Sequence, residues 1–489
     1  MTPFAFSLIL VGLFALVTYG LSIVGMRKTS SLKTFALGKG DMSPYLAGIT
    51  MAASIASTAT FVINPGFVYV DGLSAWAHYG LGAMLGLVTA LLVLSGGFQK
   101  LGKRLQAVTL PDFVRKRYDS RPLGMAFAAM TLFYVCFIVL ILSGSALIVQ
   151  QLFGLSYHLS LVCLLLFVFG YVLMGGTYAH AYTNALQGIM MMGIAVLVFL
   201  AGAEHLGAGF FDKLAAVSSS YASWTNPQSD LYHDFFSVFV SSFLITFALM
   251  LQPHILTKVL YLKEDKRDLR SFLVVTIVAS VVFSLMLFVG FYARLDGLEV
   301  ARQDAVVVTY LADAFNPYLV AFIFVSLLAA GMSTLDGILV SISSVVVADL
   351  FLGKSAEDEE RAKKGLAWSR YVLVVLGLVA LALSWDPPQR LGLFAQQGVY
   401  ALVAASSAPL VLGILRPSFC QPAAVGALSF FAVALHFALR FGFDVVNPSV
   451  SASWAILASI GVGLLLSLRA PRVAEAARTS GVFPAAKRV

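Results

Sequence analysis

The stretch Leu328-Ala-Ala-Gly-Met-Ser-Thr-Leu-Asp-Gly337 gathers residue types that can bind a small hard cation. At about 100° per helical residue, Ala330, Ser333 and Thr334 form an i, i+3, i+4 set on one face. Two hydroxyl oxygens there can join backbone carbonyls of another helix around Na⁺. An oxygen shell with little formal charge suits a monovalent ion better than Ca²⁺ or Mg²⁺, which favour carboxylates. Asp336 lies about 60° round from Ser333, at the edge of that face. It is either a further ligand for the ion or a protonated or locally paired residue between helices.

Two other stretches carry polar groups inside apolar runs. Met51-Ala-Ala-Ser-Ile-Ala-Ser-Thr-Ala-Thr60 is followed by Asn64-Pro65-Gly66, so Ser54, Ser57, Thr58 and Thr60 crowd one segment. Such a stretch is either a small-residue helix contact or an unwound segment, with free carbonyls for a cation and a half-helix N-terminus for an anionic group. The other contains Ser241, Ser242 and Thr246 and ends in Leu251-Gln252-Pro253-His254. Pro253 has no N–H and clashes with the preceding turn, so a helix kinks or stops there. His254 reads most simply as a packed residue at a helix end, and Lys258 as an anchor at the inner membrane edge. Cys136, Cys163 and Cys420 provide neither a disulfide framework nor metal-ligand spacing. No His/Cys/Asp cluster supports an intramembrane enzyme.

These groups sit in a chain that must be mostly membrane. Of its 489 residues 60% are hydrophobic and 11% charged, and the mean hydropathy is +0.90. Soluble domains carry about 25% charged residues, so a water-soluble enzyme and a disordered chain are both excluded. Runs long enough for a roughly 30 Å hydrocarbon core fall near 4–25, 44–69, 74–99, 122–150, 155–175, 181–203, 232–256, 271–293, 314–351, 367–385, 391–414, 421–440 and 452–468. The runs are continuous, not alternating, which argues for helices over a barrel. Arg27-Lys28 follow the first run and no basic residue precedes it, so it reads as an uncleaved helix with its N-terminus outside. With thirteen spans alternating from there, 27 of the 32 Lys and Arg residues fall inside and five outside. The net charge of +8 is thus topological and gives no reason to expect a nucleic-acid partner. The charged inner stretch Gly353–Arg370 reads as a solvated helix extension, and the tail after Arg469 as flexible.

With these residues placed, the chain resembles the sodium:solute symporter family, which contains sodium-coupled proline, pantothenate and sugar transporters. The resemblance runs from Lys39-Gly40 to about residue 415. It is carried by Ala53-Ser54-Ile55-Ala56-Ser57 with Pro65-Gly66, and by Leu101-Gly-Lys-Arg104 with Val108-Thr-Leu-Pro-Asp112. Gly175-Gly176 with Thr183-Asn-Ala-Leu-Gln187, Gln252-Pro-His254, and Ala330-Gly-Met-Ser-Thr334 with Ala348-Asp-Leu350 complete it. Gln252-Pro-His254 looks like the proline and pantothenate branch.

The resemblance implies a LeuT-type all-α membrane fold: two inverted five-helix repeats at 44–203 and 232–414, joined by an external loop, 204–231. One helix and a basic inner loop (1–43) precede them, and two helices with a cytoplasmic tail (415–489) follow. It places Na⁺ between the broken first core helix and the eighth. Ala53, Ala56 and Ala330 would offer carbonyls and Ser333 and Thr334 hydroxyls, with Asp336 as a possible addition. A second-sodium Asp of some members is Asn184 here, which implies one Na⁺ per cycle. The solute would lie between core helices 1, 3, 6 and 10. Candidates there are Ser54, Ser57, Thr58, Tyr134, Ser143, Ser242, Thr246, Gln252, Gln396, Gln397 and Tyr400. Proline transporters carry an acidic residue where Ile55 stands, which disfavours an amine-bearing solute.

The expectation is therefore a multi-pass cell-membrane symporter, not an enzyme, that moves a small carboxylate inward with Na⁺ and needs no obligate protein partner. Coupling to H⁺, a sugar, polyol or amino-acid solute, and a membrane sensor are the competing readings.

Overall fold

In a computed structural model, the protein is described at residues 1–174, 176–352, 359–416, 419 and 421–469. Gly175, Cys420, part of the charged inner stretch and the tail beyond Arg469 lie outside these. Among the described residues the long or paired apolar helices are α1 (Pro3–Met26), α2 (Pro44–Ile55), α3 (Ala59–Asp71), α4 (Leu73–Arg104) and α5 (Arg121–Phe153). They continue with α6 (Tyr157–Val172), α7 (Thr177–Ala201), α8 (Phe236–Leu249), α9 (Pro253–Tyr261) and α10 (Lys266–Leu295). The last are α11 (Pro317–Phe351), α12 (Lys364–Ser384), α13 (Leu391–Leu415), α14 (Pro422–Gly442) and α15 (Pro448–Leu468).

Ten of these are long and apolar enough to cross a membrane alone, and two bent pairs, α2/α3 and α8/α9, do so together. Each expected span has a helix, but the run near 155–175 becomes α6, whose 16 residues reach only about 24 Å at 1.5 Å each. That is why this measure of length gives twelve crossings, not thirteen.

Local chemistry sets the helix ends. Thr2 caps α1 through Ala5 N–H at 3.3 Å, and Asn316 caps α11 through Tyr318 and Leu319 N–H at 3.2 and 3.1 Å. Both helices start on proline, whose missing N–H costs nothing at the first position. α11 and α13 are the inner helices, 83% and 94% buried over their apolar windows, against 22%, 28% and 28% for α1, α12 and α14. The outer helices expose Leu13, Leu16, Leu378, Phe430 and Phe431, which suits contact with lipid.

Both breaks fall where the backbone turns extended. Ala56 has φ −84°, ψ 109°, and α2 and α3 meet at 54°. Ser57 Oγ then accepts from Ala59 N–H at 3.0 Å, restarting the chain into α3. Gln252 has φ −74°, ψ 152°, the geometry forced on a residue before proline, and α8 and α9 meet at 60°. Close approach fixes α3 against α5 and α11: a Cβ on Gly331 would stand 2.4 Å from Ser145 Oγ and 2.6 Å from Thr58 Oγ1.

Candidate functional site: a cation cradle beside a solute cavity

The first break leaves the last carbonyls of α2 without helical partners, and α11 presents its hydroxyl face to them. Ser333 Oγ donates to Ala53 O at 2.8 Å and to Ala330 O at 2.9 Å. Thr334 Oγ1 donates to Ser54 O at 3.2 Å and to Ala56 O at 3.4 Å. The carbonyls of Ala53, Ala56 and Ala330 and the hydroxyls of Ser333 and Thr334 therefore gather in one buried cluster. Ser333 and Thr334 are fully buried. The donor set is all oxygen and formally neutral, and it suits Na⁺; with an ion bound, both hydroxyl protons would turn outward.

Asn184 on α7 closes one side. Its Nδ2 donates to Ser54 Oγ at 3.0 Å and Ser333 O at 2.9 Å, while its Oδ1 is buried with no partner among the described residues. Such an orphan oxygen beside the cradle is a further fit for a cation.

Asp336 is turned elsewhere. Its Oδ1 is 2.8 Å from His180 Nδ1, and Oδ2 accepts from Thr183 Oγ1 at 3.5 Å. The 60° offset from Ser333 aims the carboxylate at His180 and Thr183 of α7, the locally paired arrangement that the sequence left open beside a further Na⁺ ligand. The sequence reading missed His180. Its Nε2 lies 3.5 Å from Ser54 Oγ, so Asp336, His180, Ser54 and Asn184 form one chain of polar contacts across α11, α7 and α2. One tautomer fits throughout: Asn184 donates to Ser54, Ser54 to His180 Nε2, and His180 Nδ1–H to Asp336.

Against the break lies a cavity of about 200 Å³. Of the expected solute residues, Ser54 and Ser57 line it at the break, Tyr134 from the middle of α5, and Ser242 and Thr246 from α8. Gln396 and Tyr400 line it from α13. Ser242 Oγ is committed to His78 O, whereas the buried Tyr134 hydroxyl has no partner among the described residues. Gln396 Nε2 donates to Tyr79 OH at 3.1 Å, and Tyr232 OH donates to the same oxygen at 3.0 Å. Tyr79, which the sequence reading did not single out, thus joins α4, the residues leading into α8 and α13 at the cavity wall.

Four expected residues are not on the wall, for helical reasons. Thr58 Oγ1 meets Ser145 Oγ at 3.2 Å, between α3 and α5. Tyr134, Phe137 and Leu140 line the cavity in steps of three, and Ser143 continues that stripe one turn beyond its end. Gln252 Nε2 donates to Ser406 Oγ at 3.2 Å, toward α13. Gln397 is about 100° round α13 from Gln396, which turns it away.

The described wall carries no Lys, Arg, Asp or Glu, and Ile55, Ile63, Phe137 and Phe283 make much of it apolar. Lys258 is not an edge anchor, as expected, but 1% exposed, because the 60° bend turns α9 inward.

A bundle of this kind, with two broken helices and a neutral oxygen cradle beside a cavity, is the architecture of a secondary transporter. The sequence model of the Sodium:solute symporter family matches residues 35–429, and the chain belongs to that family. It is a transporter and not an enzyme, and Na⁺ is its coupling ion. Among curated relatives, the sodium/pantothenate symporter of Escherichia coli (strain K12) is 26% identical over 411 residues, 82% of this chain and 84% of the relative. The sodium/proline symporter of Staphylococcus aureus is 27% identical over 423 residues, 83% of this chain and 80% of the relative. A substrate-bound, outward-open Na⁺-coupled sialic acid symporter shares the fold at a TM-score of 0.74 and 17% identity, over 94% of this chain and 98% of that one.

Proposed function

We propose that the protein carries a small carboxylate into the cell with one Na⁺ per cycle, by alternating access of two inverted repeats, 44–203 and 232–414. The reading has thirteen spans, α6 completing the count, with the N-terminus outside and the C-terminus inside. α2/α3 and α8/α9 are equivalent broken helices of the two repeats, and the proposed Na⁺ ligands are the five residues of the cradle. Asn184 brings no charge and is held by Ser54 and Ser333, which supports a single sodium.

The observation that carries the solute class is the cavity wall: uncharged, partly apolar and set against the gap between α2 and α3. The start of α3 presents a positive helix end to a carboxylate, while hydroxyls of Ser57, Tyr134 and Thr246 serve its polar remainder. Ile55 on that wall gives an amine no counter-charge. The pantothenate symporter among the relatives supports the same class. Na⁺ and solute bound to one state strengthen each other equally, and an inside-negative potential contributes about 2.3 kcal/mol per charge per 100 mV to the inward step.

Thermal-shift screening of purified protein against monocarboxylates, pantothenate, sugars and amino acids, with and without Na⁺, tests the class. The expected hits are carboxylates whose shift needs Na⁺; hits confined to sugars or amino acids contradict the proposal. Uptake of the hit into vesicles should then collapse when choline replaces Na⁺ at fixed pH. Equal accumulation in choline would replace Na⁺ coupling by H⁺ coupling.

Within the cavity, Tyr134→Phe removes a buried hydroxyl that has no partner among the described residues and is offered to the solute. Solute affinity should fall by roughly five- to tenfold, the worth of one hydrogen bond, with Na⁺ binding unchanged. A variant that binds solute as wild type does would remove Tyr134 from the site.

A further inference from the structure

A second, much smaller cavity of about 20 Å³ lies beside the first, large enough for one water-sized species. His254 walls both. Thr257 and Lys258 of α9, His180 of α7, and Ser341 and Ser344 of α11 line the smaller one. Ala36 and Thr109 also reach it, from the loops that the proposed orientation places inside.

Lys258 is almost fully buried. A buried ammonium is strongly unfavourable unless a counter-charge and hydrogen bonds meet it. It donates to the carbonyl of His254, which uses one of its three N–H groups. Among the described residues no carboxylate lies within 4.0 Å of it. Asp336 acts on it only at longer range, its oxygens turned to His180 and Thr183. The described wall holds no acidic residue. The His254 ring, edge-on to Tyr134 with centroids 5.0 Å apart, has no hydrogen-bond partner among the described residues. A cation with donors to spare, an unpartnered imidazole and three hydroxyls thus line one small cavity.

We propose that Lys258 and this cavity form an inner anion subsite that takes one small monovalent anion, either a free halide or the carboxylate of the solute as it passes inward. The ammonium supplies charge and donors, and Ser341 can turn its hydroxyl to donate, whereas Thr257 and Ser344 donate to Pro253 O and Val340 O and would exchange those bonds for the anion. Such charge-assisted bonds are what a buried ammonium otherwise lacks. The halide form stands without the transport reading, whereas the carboxylate form rests on it. α9 begins directly after the break at Gln252, so any movement of α9 that opens the inner side carries the subsite with it.

The test is thermal unfolding of the purified full chain at constant Na⁺, with sodium methanesulfonate, a larger anion that is neither a halide nor a carboxylate, as baseline. Sodium chloride and sodium formate are the probes. A saturable rise of about 2–4 °C with chloride, absent in Lys258→Met, assigns a free-anion subsite. A rise with formate alone, also absent in Lys258→Met, assigns a carboxylate subsite. No saturable rise with either anion in the wild-type protein, or the same rise in Lys258→Met, overturns the proposal. If Lys258→Met does not fold, Lys258→Gln takes its place, and the wild-type titrations can still overturn the idea alone. Exchange of Na⁺ for choline at fixed chloride probes the symport reading separately: a protein indifferent to Na⁺ there loses that reading and keeps its anion result.

Discussion

Replacing Ser333 and Thr334 together by alanine is expected to abolish Na⁺-driven uptake at physiological Na⁺, while the protein still folds and inserts. The two hydroxyls are the only side-chain oxygens in the proposed ligand set, and both are fully buried. Losing either should weaken Na⁺ binding roughly tenfold, equivalent to about 1.4 kcal/mol, and losing both by far more. The fold should tolerate the change because, apart from a 4.0 Å contact of Ser333 Oγ with Met191 Sδ, the hydroxyls bond backbone carbonyls of α2, the break and α11, a net worth of about 1 kcal/mol apiece. Binding of radioactive Na⁺ to purified protein measures this directly. Thr334→Ser, which keeps an oxygen, should retain most of the affinity. Ser326→Ala is the control, since Ser326 lies on the same helix but bonds only Phe322 O, at 3.0 Å. Unchanged Na⁺ affinity in the double variant would place the ion elsewhere.

The cradle was readable because two local signals met. The i, i+3, i+4 spacing of Ala330, Ser333 and Thr334 survives in any helix, and the polar stretch 51–60 had to unwind or find polar company. What the sequence did not yield came from direction and bending. His180, Thr183, Asn184 and Gln187 sit at i, i+3, i+4 and i+7 on α7 and are all buried. That stripe was present in the sequence, and scanning it as a helical face would have found His180. Lys258 could not be read so simply: in a straight helix its position marks a membrane edge, and only the bend after Gln252 turns it inward. Gln396 and Gln397 show the same limit at one residue's resolution, since neighbours about 100° apart face the cavity and its outside. α6 was legible as an apolar run, but its length was set by where Ser156 caps it and the chain leaves at Leu173.

The buried pair of His180 and Asp336 carries the second large effect. A carboxylate and an imidazole 2.8 Å apart, at 2% and 3% side-chain exposure, are mutually dependent, because each would otherwise be a desolvated polar group. His180→Leu should destabilise the protein by about 3–5 kcal/mol, because it leaves Asp336 without its main partner in a low-dielectric interior. Asp336→Leu should cost less, about 1–3 kcal/mol, since what remains is a neutral ring with one unmet donor. The double variant, with both groups gone, should be more stable than His180→Leu alone. Chemical denaturation of the four proteins closes this cycle, and effects that simply add within about 0.5 kcal/mol would dissolve the pair. The same variants decide whether Asp336 serves structure or the ion. If the carboxylate's role is to hold α7 against α11 through His180, the double variant should bind Na⁺ nearly as wild type does. If it acts as a ligand's charge, Asp336→Asn alone must weaken Na⁺ binding while His180→Leu leaves it intact, or strengthens it by freeing the carboxylate. The 60° turn away from Ser333 and the short bond to His180 favour the first outcome.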